Sequence, residues 1–333
     1  MSPSGISLGN FATGSSTNHC PITFPGYFPP KSDSLVIAIC IINILSSFSA
    51  ATLNFMVLWA IKRTPSLHTS SSVLLFGLAL ADFVIGVLVQ PMVAIHLIGS
   101  LTMHSPIYCI TGAIAYPLAA SLTFVSFSAI TVISFDRYLA LALHLRYAAI
   151  VTVNRVIKLI LLAFVILFPT SIYFWFSNVE WFKKVVLCLG FVFAIVGIIA
   201  IPFSYVRIFT ILRRHRKQIR DQNSMATRIH MDISKYRRSV FTILYALCTL
   251  LLSYLPCGIS HVIALLSETE VSEFLLLVGS TMVLLNSSIN PLVYCWRIKE
   301  IRRFVISKLR SAFVVSGLQN EAVRIRQVKP VSK

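Results

Sequence analysis

The stretch that decides the fold covers residues 106–147 and reads PIYCITGAIAYPLAASLTFVSFSAITVISFDRYLALALHLRY. Its first part, residues 106–135, contains no charged residue, and as a helix rising ~1.5 Å per residue it would be about 45 Å long. That length exceeds the roughly 30 Å hydrocarbon core of a bilayer. Asp136, Arg137 and Tyr138 follow at once, so the stretch predicts a membrane-spanning helix with an acid and a base together at one end.

The overall composition also indicates a membrane protein. Of the 333 residues, 56% are hydrophobic and 12% are charged, which is about half the roughly 25% charged content of soluble domains. A soluble chain this apolar would have too few polar residues to cover its surface, so the excess is expected to face lipid. The cysteines lack the Cys-x-x-Cys or Cys/His spacing of a metal site and do not form a disulfide scaffold.

Long apolar runs recur along the chain and are too long, and too free of alternation, to be strands. They predict an all-α membrane protein with a bundle of seven transmembrane helices, at residues 34–61, 70–98, 106–135, 155–176, 185–212, 240–266 and 274–296.

The remaining segments complete the predicted organisation. Residues 1–33 are expected to form an extracellular N-terminal segment, and residues 34–297 form the seven-transmembrane domain. Residues 298–310 alternate apolar and basic side chains at helical spacing, which predicts a short amphipathic cytoplasmic helix lying along the membrane surface. Residues 311–333 are expected to be a disordered cytoplasmic tail.

The basic residues indicate the orientation of the bundle. With the C-terminus inside, only Lys31, Lys183 and Lys184 of the 29 Lys and Arg residues fall outside, while the acids divide evenly. Such an excess on one side, indifferent to acids, is the positive-inside pattern. It predicts a multi-pass plasma-membrane protein with an extracellular N-terminus. The net charge of +18 then reflects topology and contact with anionic membrane lipids, and no nucleic acid is expected as a partner.

Two motifs then resemble those of the rhodopsin-like (class A) G-protein-coupled receptors. Asp136-Arg137-Tyr138 ends the third span, and residues 290–294, Asn-Pro-Leu-Val-Tyr, end the seventh. Further matching positions, each in its own span, are Asn54, Asp82, Tyr205 and Pro256.

The resemblance implies a function at the cytoplasmic end. Arg137 would pair with Asp136 at rest and receive the C-terminal helix of a G-protein α subunit after activation. Tyr205 and Tyr294 would swing inward to open that cleft. The implied coupling and switch residues are Asp136, Arg137, Tyr138, Tyr205, Asn290, Pro291 and Tyr294.

The acid within the second span, Asp82, needs partners because a lone carboxylate at mid-membrane costs ~2.5–3.5 kcal/mol or more. The resemblance implies an allosteric sodium ion held by oxygen-bearing residues, namely Asp82, Ser126, Asn286, Ser287 and Asn290. The alternative is a protonated Asp82 that hydrogen-bonds these neighbours without an ion. No cofactor is otherwise required.

The resemblance also implies a ligand pocket toward the extracellular end, lined by Met92, His96, Tyr116, Ala119, Ala120, Tyr254, Cys257, His261 and Leu284. Ala119 stands where an amine receptor carries a carboxylate, and Leu284 stands where an opsin carries its lysine. The mainly apolar lining therefore predicts a neutral or lipid-like small molecule. The alternative for His96 and His261 is that both are helix-end histidines facing water.

Features of the outer loops leave the branch of the family open. A short second loop, residues 177–184, is similar to that of the melanocortin, adenosine, cannabinoid and lysolipid receptors, although the acids of a melanocortin site are absent. By resemblance Cys109 pairs with Cys188; Cys20 is a competing partner, and free thiols are the alternative.

The competing functions are a peptide receptor of the same fold and a seven-span transporter or channel. The peptide reading rests on Glu268, Glu270 and Glu273, which would attract a cationic peptide, although a solvated acidic loop also explains them. A transporter would favour an internal repeat or several intramembrane charges, which the sequence lacks. No nucleophile–base pair or phosphate loop suggests an enzyme. Arrestin and a receptor kinase are further expected partners, although serines are sparse in the tail.

Overall fold

The computed structural model describes residues 33–102, 105–143, 147–177, 179–220, 248–249, 251–264, 266, 269–308 and 310–311. Every regular element in these ranges is helical. The helices are α1 (Asp33–Arg63), α2 (Ser70–Leu101), α3 (Ser105–Leu143), α4 (Val153–Phe176), α5 (Glu180–Arg220), α6 (Leu251–Ala264), α7 (Glu270–Arg297) and α8 (residues 299–308).

The predicted helical membrane bundle is confirmed. In the described ranges, 6 helices are long and apolar enough to cross a membrane. The sixth predicted span, residues 240–266, is described mainly as α6, and its first residues lie outside the described part of the chain. The predicted N-terminal segment and tail also lie outside it, apart from Asp33 and Ser311.

Local sequence explains where several helices begin. Thr69 caps α2 by accepting a hydrogen bond from the Ser72 amide at 3.3 Å, and Thr152 caps α4 in the same way. Thr269 and Ser272 form a reciprocal capping box that starts α7. Such caps satisfy amide groups that have no partner within the first turn of a helix.

The segment between α4 and α5 is shorter than predicted. Helix α5 begins at Glu180, so the expected loop over residues 177–184 shrinks to residues 177–179. The apolar run that marks the span begins at Val185, whereas the helix also includes the polar residues before it. Residues 180–184 are therefore helical, and the loop prediction was wrong at this end.

Helix α2 contains an irregularity that the apolar pattern conceals. Residues Ile85–Val89 form a π-helical turn, and there the hydroxyl of Ser47 on α1 donates to the carbonyl of Gly86 at 2.7 Å. A Cβ atom added at Gly86 would lie 2.7 Å from the backbone nitrogen of Ala51. Glycine is required because any side chain would force α1 away from α2.

Helix α8 is amphipathic, as the sequence predicts. Ile301 and Val305 are buried, while the basic side chains Arg302, Arg303 and Lys308 are exposed. Phe304 packs edge-on against Trp59 of α1, with ring centroids 5.4 Å apart, and the Lys308 ammonium lies 4.9 Å from the centroid of the Trp59 ring. These contacts hold α8 against the last turns of α1.

Candidate functional site

Asp82 lies at the centre of the bundle and is completely buried. Its Oδ1 accepts hydrogen bonds from Ser126 of α3 at 3.3 Å and from Ser287 of α7 at 2.9 Å. Its Oδ2 accepts from the side-chain amide of Asn290 at 2.9 Å. The structure thus brings the carboxylate together with three of the four partners expected from the sequence.

Asn286, the fourth expected partner, is buried on α7. The Oδ1 atoms of Asn286 and Asn290 are both buried and have no hydrogen-bond partner in the described part of the chain. Carboxylate, hydroxyl and amide oxygens are the ligands that hard cations prefer. The carboxylate, the hydroxyls and two unsatisfied amide oxygens one helical turn apart on α7 form a set of oxygen ligands that fits a sodium ion.

Pro291 shapes the next part of α7. Proline has no amide proton, so it cannot donate to the carbonyl of Ser287 four residues earlier. The side chain of Asn54 on α1 donates to that carbonyl at 2.9 Å and is itself fully buried. Tyr294 follows one turn later and is 5% exposed. The Ser287 carbonyl, which Pro291 cannot bond, therefore receives its hydrogen bond from α1.

Asp136 is buried at the opposite end of α3 from Cys109. Its Oδ2 accepts a hydrogen bond from Ser71 of α2 at 2.6 Å, and its Oδ1 accepts from the phenol of Tyr147 at 2.5 Å. Burial, followed by the hydrogen bond with Asp136, raises the pKa of Tyr147. The phenol therefore stays protonated and keeps donating at neutral pH.

The neighbours of Asp136 include the other predicted switch residues. Arg137 and Tyr138 are half-buried, and the ring of Tyr138 lies 5.9 Å from that of Phe135. The predicted Asp136–Arg137 pair stays a prediction. Tyr205 lies on α5, and its side chain is outside the described part of the structure.

The predicted pocket residues do not form one cluster. Met92, Ala119 and Leu284 belong to an apolar cluster between α2, α3 and α7. Tyr254 packs deeper, because its phenol donates to the carbonyl of Thr123 at 3.0 Å and its ring lies 5.5 Å from that of Phe127. Ala120 is exposed on α3.

Cys257 and His261 face each other along α6. The His261 Nδ1 atom lies 2.8 Å from the carbonyl oxygen of Cys257 and 3.6 Å from its sulfur. Both side chains are half-buried. They are available to line a cavity but are already hydrogen-bonded to each other.

His96 does not face water. It is fully buried, its ring stacks on that of Tyr108 with centroids 4.2 Å apart, and its Nδ1 lies 2.9 Å from the Tyr108 carbonyl oxygen. Tyr116 packs edge-on against His96 at 5.3 Å and approaches Trp175 of α4 at 5.2 Å. The expectation of a water-facing histidine was wrong because His96 lies on the face of α2 that packs against Tyr108 and Tyr116 of α3.

The expected Cys109–Cys188 bridge was also wrong. Cys109 is in a disulfide, whereas Cys188 is an exposed free thiol about two turns into α5. Cys40, Cys248, Cys257 and Cys295 are free as well. Because α5 begins at Glu180, Cys188 lies within that helix and not at its start, where the sequence placed it. Cys20, the competing partner, lies outside the described residues.

Several residues of these sites were not predicted. Ser71 and Tyr147 hold Asp136, and Gln90 joins α2 to α1 and α7. Gln90 is a polar residue within a long apolar run, which was the available signal. Ser71 gave none, because it is one of several serines at a helix start.

Comparison with known protein families agrees with these features: the helical bundle, the buried acid on α2 and the motifs at the ends of α3 and α7. The description "7 transmembrane receptor (rhodopsin family)" matches residues 53–294. This chain belongs to the rhodopsin family of seven-transmembrane receptors. Members of this family are receptors and not enzymes, so the prediction that the chain is not an enzyme is confirmed.

Similar receptors of the rhodopsin family have names that refer to different ligands. The adenosine receptor A3 of Canis lupus familiaris is 25% identical over 283 residues, covering 78% of this chain and 87% of the relative. That of Ovis aries is 26% identical over 293 residues, covering 81% and 89%. Trace amine-associated receptor 9 of Homo sapiens is 26% identical over 303 residues, covering 82% and 86%.

Proposed function

We propose that this rhodopsin-family receptor binds a neutral or lipid-like extracellular small molecule and activates a heterotrimeric G protein. The observation that carries the proposal is the arrangement of Asp136. Its carboxylate is buried beside Arg137 and is held by donors from two other elements, Ser71 and Tyr147. A buried acid beside a half-buried arginine can act as a conformational switch. If Asp136 leaves its two donors, the charge at that end of the bundle changes.

The orientation rests on the positive-inside pattern. The Asp136 end then faces the cytoplasm, and α8 lies against the inner leaflet with its basic side chains toward anionic lipid headgroups. The Cys109 end faces the extracellular side of the plasma membrane. Arginine at the cytoplasmic end is placed to meet the C-terminal helix of a G-protein α subunit, with arrestin and a receptor kinase as further partners.

A second element of the proposal is an allosteric sodium ion at Asp82. Asp82, Ser126, Asn286, Ser287 and Asn290 supply the oxygen atoms, and the ion adds a positive charge that stabilises the ionised carboxylate. The unsatisfied amide oxygens of Asn286 and Asn290 support this assignment. Because the site joins α2, α3 and α7, a bound ion would hold these helices in their resting arrangement.

The proposed ligand class follows from the side chains toward the Cys109 end. Met92, Ala119 and Leu284 contribute apolar surface, and Cys257 and His261 contribute polar groups. The relatives named for adenosine make nucleosides a sensible first class of neutral small molecule to test. The trace amine relatives are a weaker guide, because Ala119 offers no carboxylate to an ammonium group. A peptide receptor and a transporter are not favoured.

Signalling is tested by expressing the receptor in cells that carry chimeric G proteins. Second-messenger output is measured without ligand and with panels of neutral lipids, nucleosides, amines and peptides. The Arg137→Ala variant should lose output while reaching the cell surface in wild-type amounts. Ser70→Ala is the matched control, because the one hydrogen bond of the Ser70 hydroxyl among the described residues is to the Val151 carbonyl. Undiminished output from Arg137→Ala would contradict G-protein activation at this end.

Sodium binding is tested by thermal melting of the purified receptor in sodium chloride and in choline chloride of the same ionic strength. Sodium should raise the melting temperature of the wild type, because a ligand that binds only the folded state stabilises it. Asp82→Asn should remove the difference. Equal melting of the wild type in both salts would show that the alternative, a protonated Asp82 without an ion, is correct.

A further inference from the structure

A second group of polar side chains is buried between α1, α2 and α7, on the Cys109 side of Asp82. Asn43 and Gln90 are completely buried, and Ser46 and Ser288 are nearly so. The amide of Gln90 donates to the Ser46 hydroxyl at 2.7 Å, and the Ser288 hydroxyl donates to the Ser46 carbonyl at 2.8 Å. These four residues form a single polar cluster, the helix 1–2–7 cluster.

Two acceptors in the helix 1–2–7 cluster are unsatisfied. The side-chain oxygens of Asn43 and Gln90 are buried and have no hydrogen-bond partner among the residues that the structure describes. Leaving such a group unsatisfied in an apolar interior costs ~1–3 kcal/mol. Native proteins avoid this cost almost everywhere, and buried water commonly satisfies such groups.

Every hydroxyl and side-chain amide of the cluster already donates a hydrogen bond in the described structure. The Ser46 hydroxyl donates to the backbone carbonyl of Asn43 at 3.1 Å, and the Ser288 hydroxyl donates to the backbone carbonyl of Ser46. The Asn43 amide donates to the Ile39 carbonyl at 2.9 Å, and the Gln90 amide also reaches the Leu284 carbonyl at 3.3 Å. The occupant that the cluster lacks is therefore a hydrogen-bond donor.

Water fits these acceptors better than a cation does. Asp82 is the acid on α2, and it lies eight residues before Gln90, which is about 12 Å along the helix axis. An ion at the helix 1–2–7 cluster would have only neutral oxygens, whereas the same ion at Asp82 has a carboxylate. We propose that the helix 1–2–7 cluster binds ordered water that donates to both Asn43 and Gln90.

Such water would complete a polar connection across three helices. Gln90 already joins α2 to Ser46 on α1 and to the Leu284 carbonyl on α7, and Ser288 joins α7 to α1. The water adds Asn43 to this connection. The water would therefore tie α1 to α2 separately from the sodium site, beside the direct bonds that already join α7 to both helices.

The direct test is a high-resolution experimental structure of the full-length wild-type receptor, determined once in sodium chloride and once in choline chloride. Density within hydrogen-bonding distance of Asn43 Oδ1 and Gln90 Oε1 in both salts is the expected result. Absence of density in both salts would overturn the proposal. Density that appears only in sodium would identify an ion and would overturn it as well.

A double-mutant cycle tests whether the two side chains share the occupant. Asn43→Leu and Gln90→Met each replace an amide by an apolar group of similar size. Each should lower the melting temperature, and the double variant should lose less than the sum, because the first substitution already removes the water. The side chains of Asn43 and Gln90 make no direct hydrogen bond in the described structure, but both residues bond the Ser46 hydroxyl. The cycle is therefore repeated in a Ser46→Ala background, where coupling that persists reports the occupant.

Thr281→Val is the matched control for the cycle. Thr281 is buried on α7, and within the described part of the chain its hydroxyl bonds only the Leu277 carbonyl of its own helix. Combined with Asn43→Leu, it should give additive effects. A higher melting temperature for Asn43→Leu would show that no water bonds the Asn43 side-chain oxygen. Additive effects of Asn43→Leu and Gln90→Met would show that the two side chains do not share a water. Either result refutes the shared water.

Discussion

Each oxygen of the Asp136 carboxylate accepts a hydrogen bond from a hydroxyl group, and the two hydroxyls come from different parts of the chain. Ser71 lies in the first turn of α2, and Tyr147 lies in the short helical turn Tyr147–Ile150 before α4. Hydrogen bonds to a charged group contribute about 1.5–3 kcal/mol each. Together they keep the acid in place beside Arg137, which favours the resting state in the proposed mechanism.

Loss of these donors should raise basal signalling. We expect Tyr147→Phe to increase ligand-free second-messenger output several-fold, and Ser71→Ala to do the same to a smaller extent, since either change frees one oxygen of Asp136. Output is normalised to receptor at the cell surface. Ser70→Ala serves as the control, because it removes a hydroxyl from the same turn without touching Asp136. Basal output in Tyr147→Phe equal to that of wild type would argue against a restraining role.

At the scale of helices, α6 and α7 approach each other closely at Gly279. A Cβ atom there would lie 2.7 Å from the Ser260 hydroxyl oxygen and 2.8 Å from the Cα of Cys257. One of these two atoms is backbone and cannot rotate away. A side chain at residue 279 therefore separates the helices.

Gly279→Ala should consequently destabilise the receptor, with a lower melting temperature in detergent. Gly258→Ala is the matched control on α6, because nothing lies within 4 Å of its added Cβ. That control should be neutral or slightly stabilising, since alanine favours a helix over glycine by ~0.5–1 kcal/mol. The interpretation fails if both variants melt at the same temperature.

The bond between α1 and α7 offers a second experiment on helices. Asn54→Ala leaves the Ser287 carbonyl without a donor, because Pro291 cannot bond to it. We expect a loss of about 1–3 kcal/mol, seen as a lower melting temperature. In a Pro291→Ala background, the restored amide can donate to Ser287, so the same Asn54 substitution should cost less. An equal cost in both backgrounds would rule out this role for Asn54.

The sequence predicted well what depends on composition and on position along a helix. The spans followed from long apolar runs, and the Asp82 partners were implied by the resemblance to the rhodopsin-like receptors. Predictions failed where a few residues of loop or a helix rotation decide the outcome. Cys188 is an exposed free thiol on α5, and His96 is buried because it lies on the face of α2 that packs against Tyr108 of α3.

The helix 1–2–7 cluster was not predicted for a related reason. Asn43 and Gln90 are polar residues in apolar runs, and such a residue can point toward lipid headgroups, a neighbouring helix or the bundle centre. Which of these occurs depends on how each helix is rotated. The π-helical turn Ile85–Val89 changes the direction in which the following α2 side chains point, just before Gln90, and no residue pattern predicts that turn.

At the scale of the whole molecule, the distribution of charge predicts which end of the bundle faces the cytoplasm. The basic residues of α8, Arg302, Arg303 and Lys308, are exposed on one side of that helix, while Ile301 and Val305 are buried on the other. A helix of this kind lies in the interface and favours the leaflet rich in anionic lipid, which is the cytoplasmic one. The same conclusion follows from the Lys and Arg count.

This orientation can be checked on living cells with short epitope tags at the two ends of the full-length receptor. Antibody should bind the N-terminal tag on intact cells, and it should reach the C-terminal tag only after the plasma membrane is permeabilised. The reason is that Lys and Arg near the ends of spans are retained on the cytoplasmic side during insertion. Receptor with each tag alone controls for effects of tagging. Binding to the C-terminal tag on intact cells would reverse the topology, and Arg137 would then face away from any G protein.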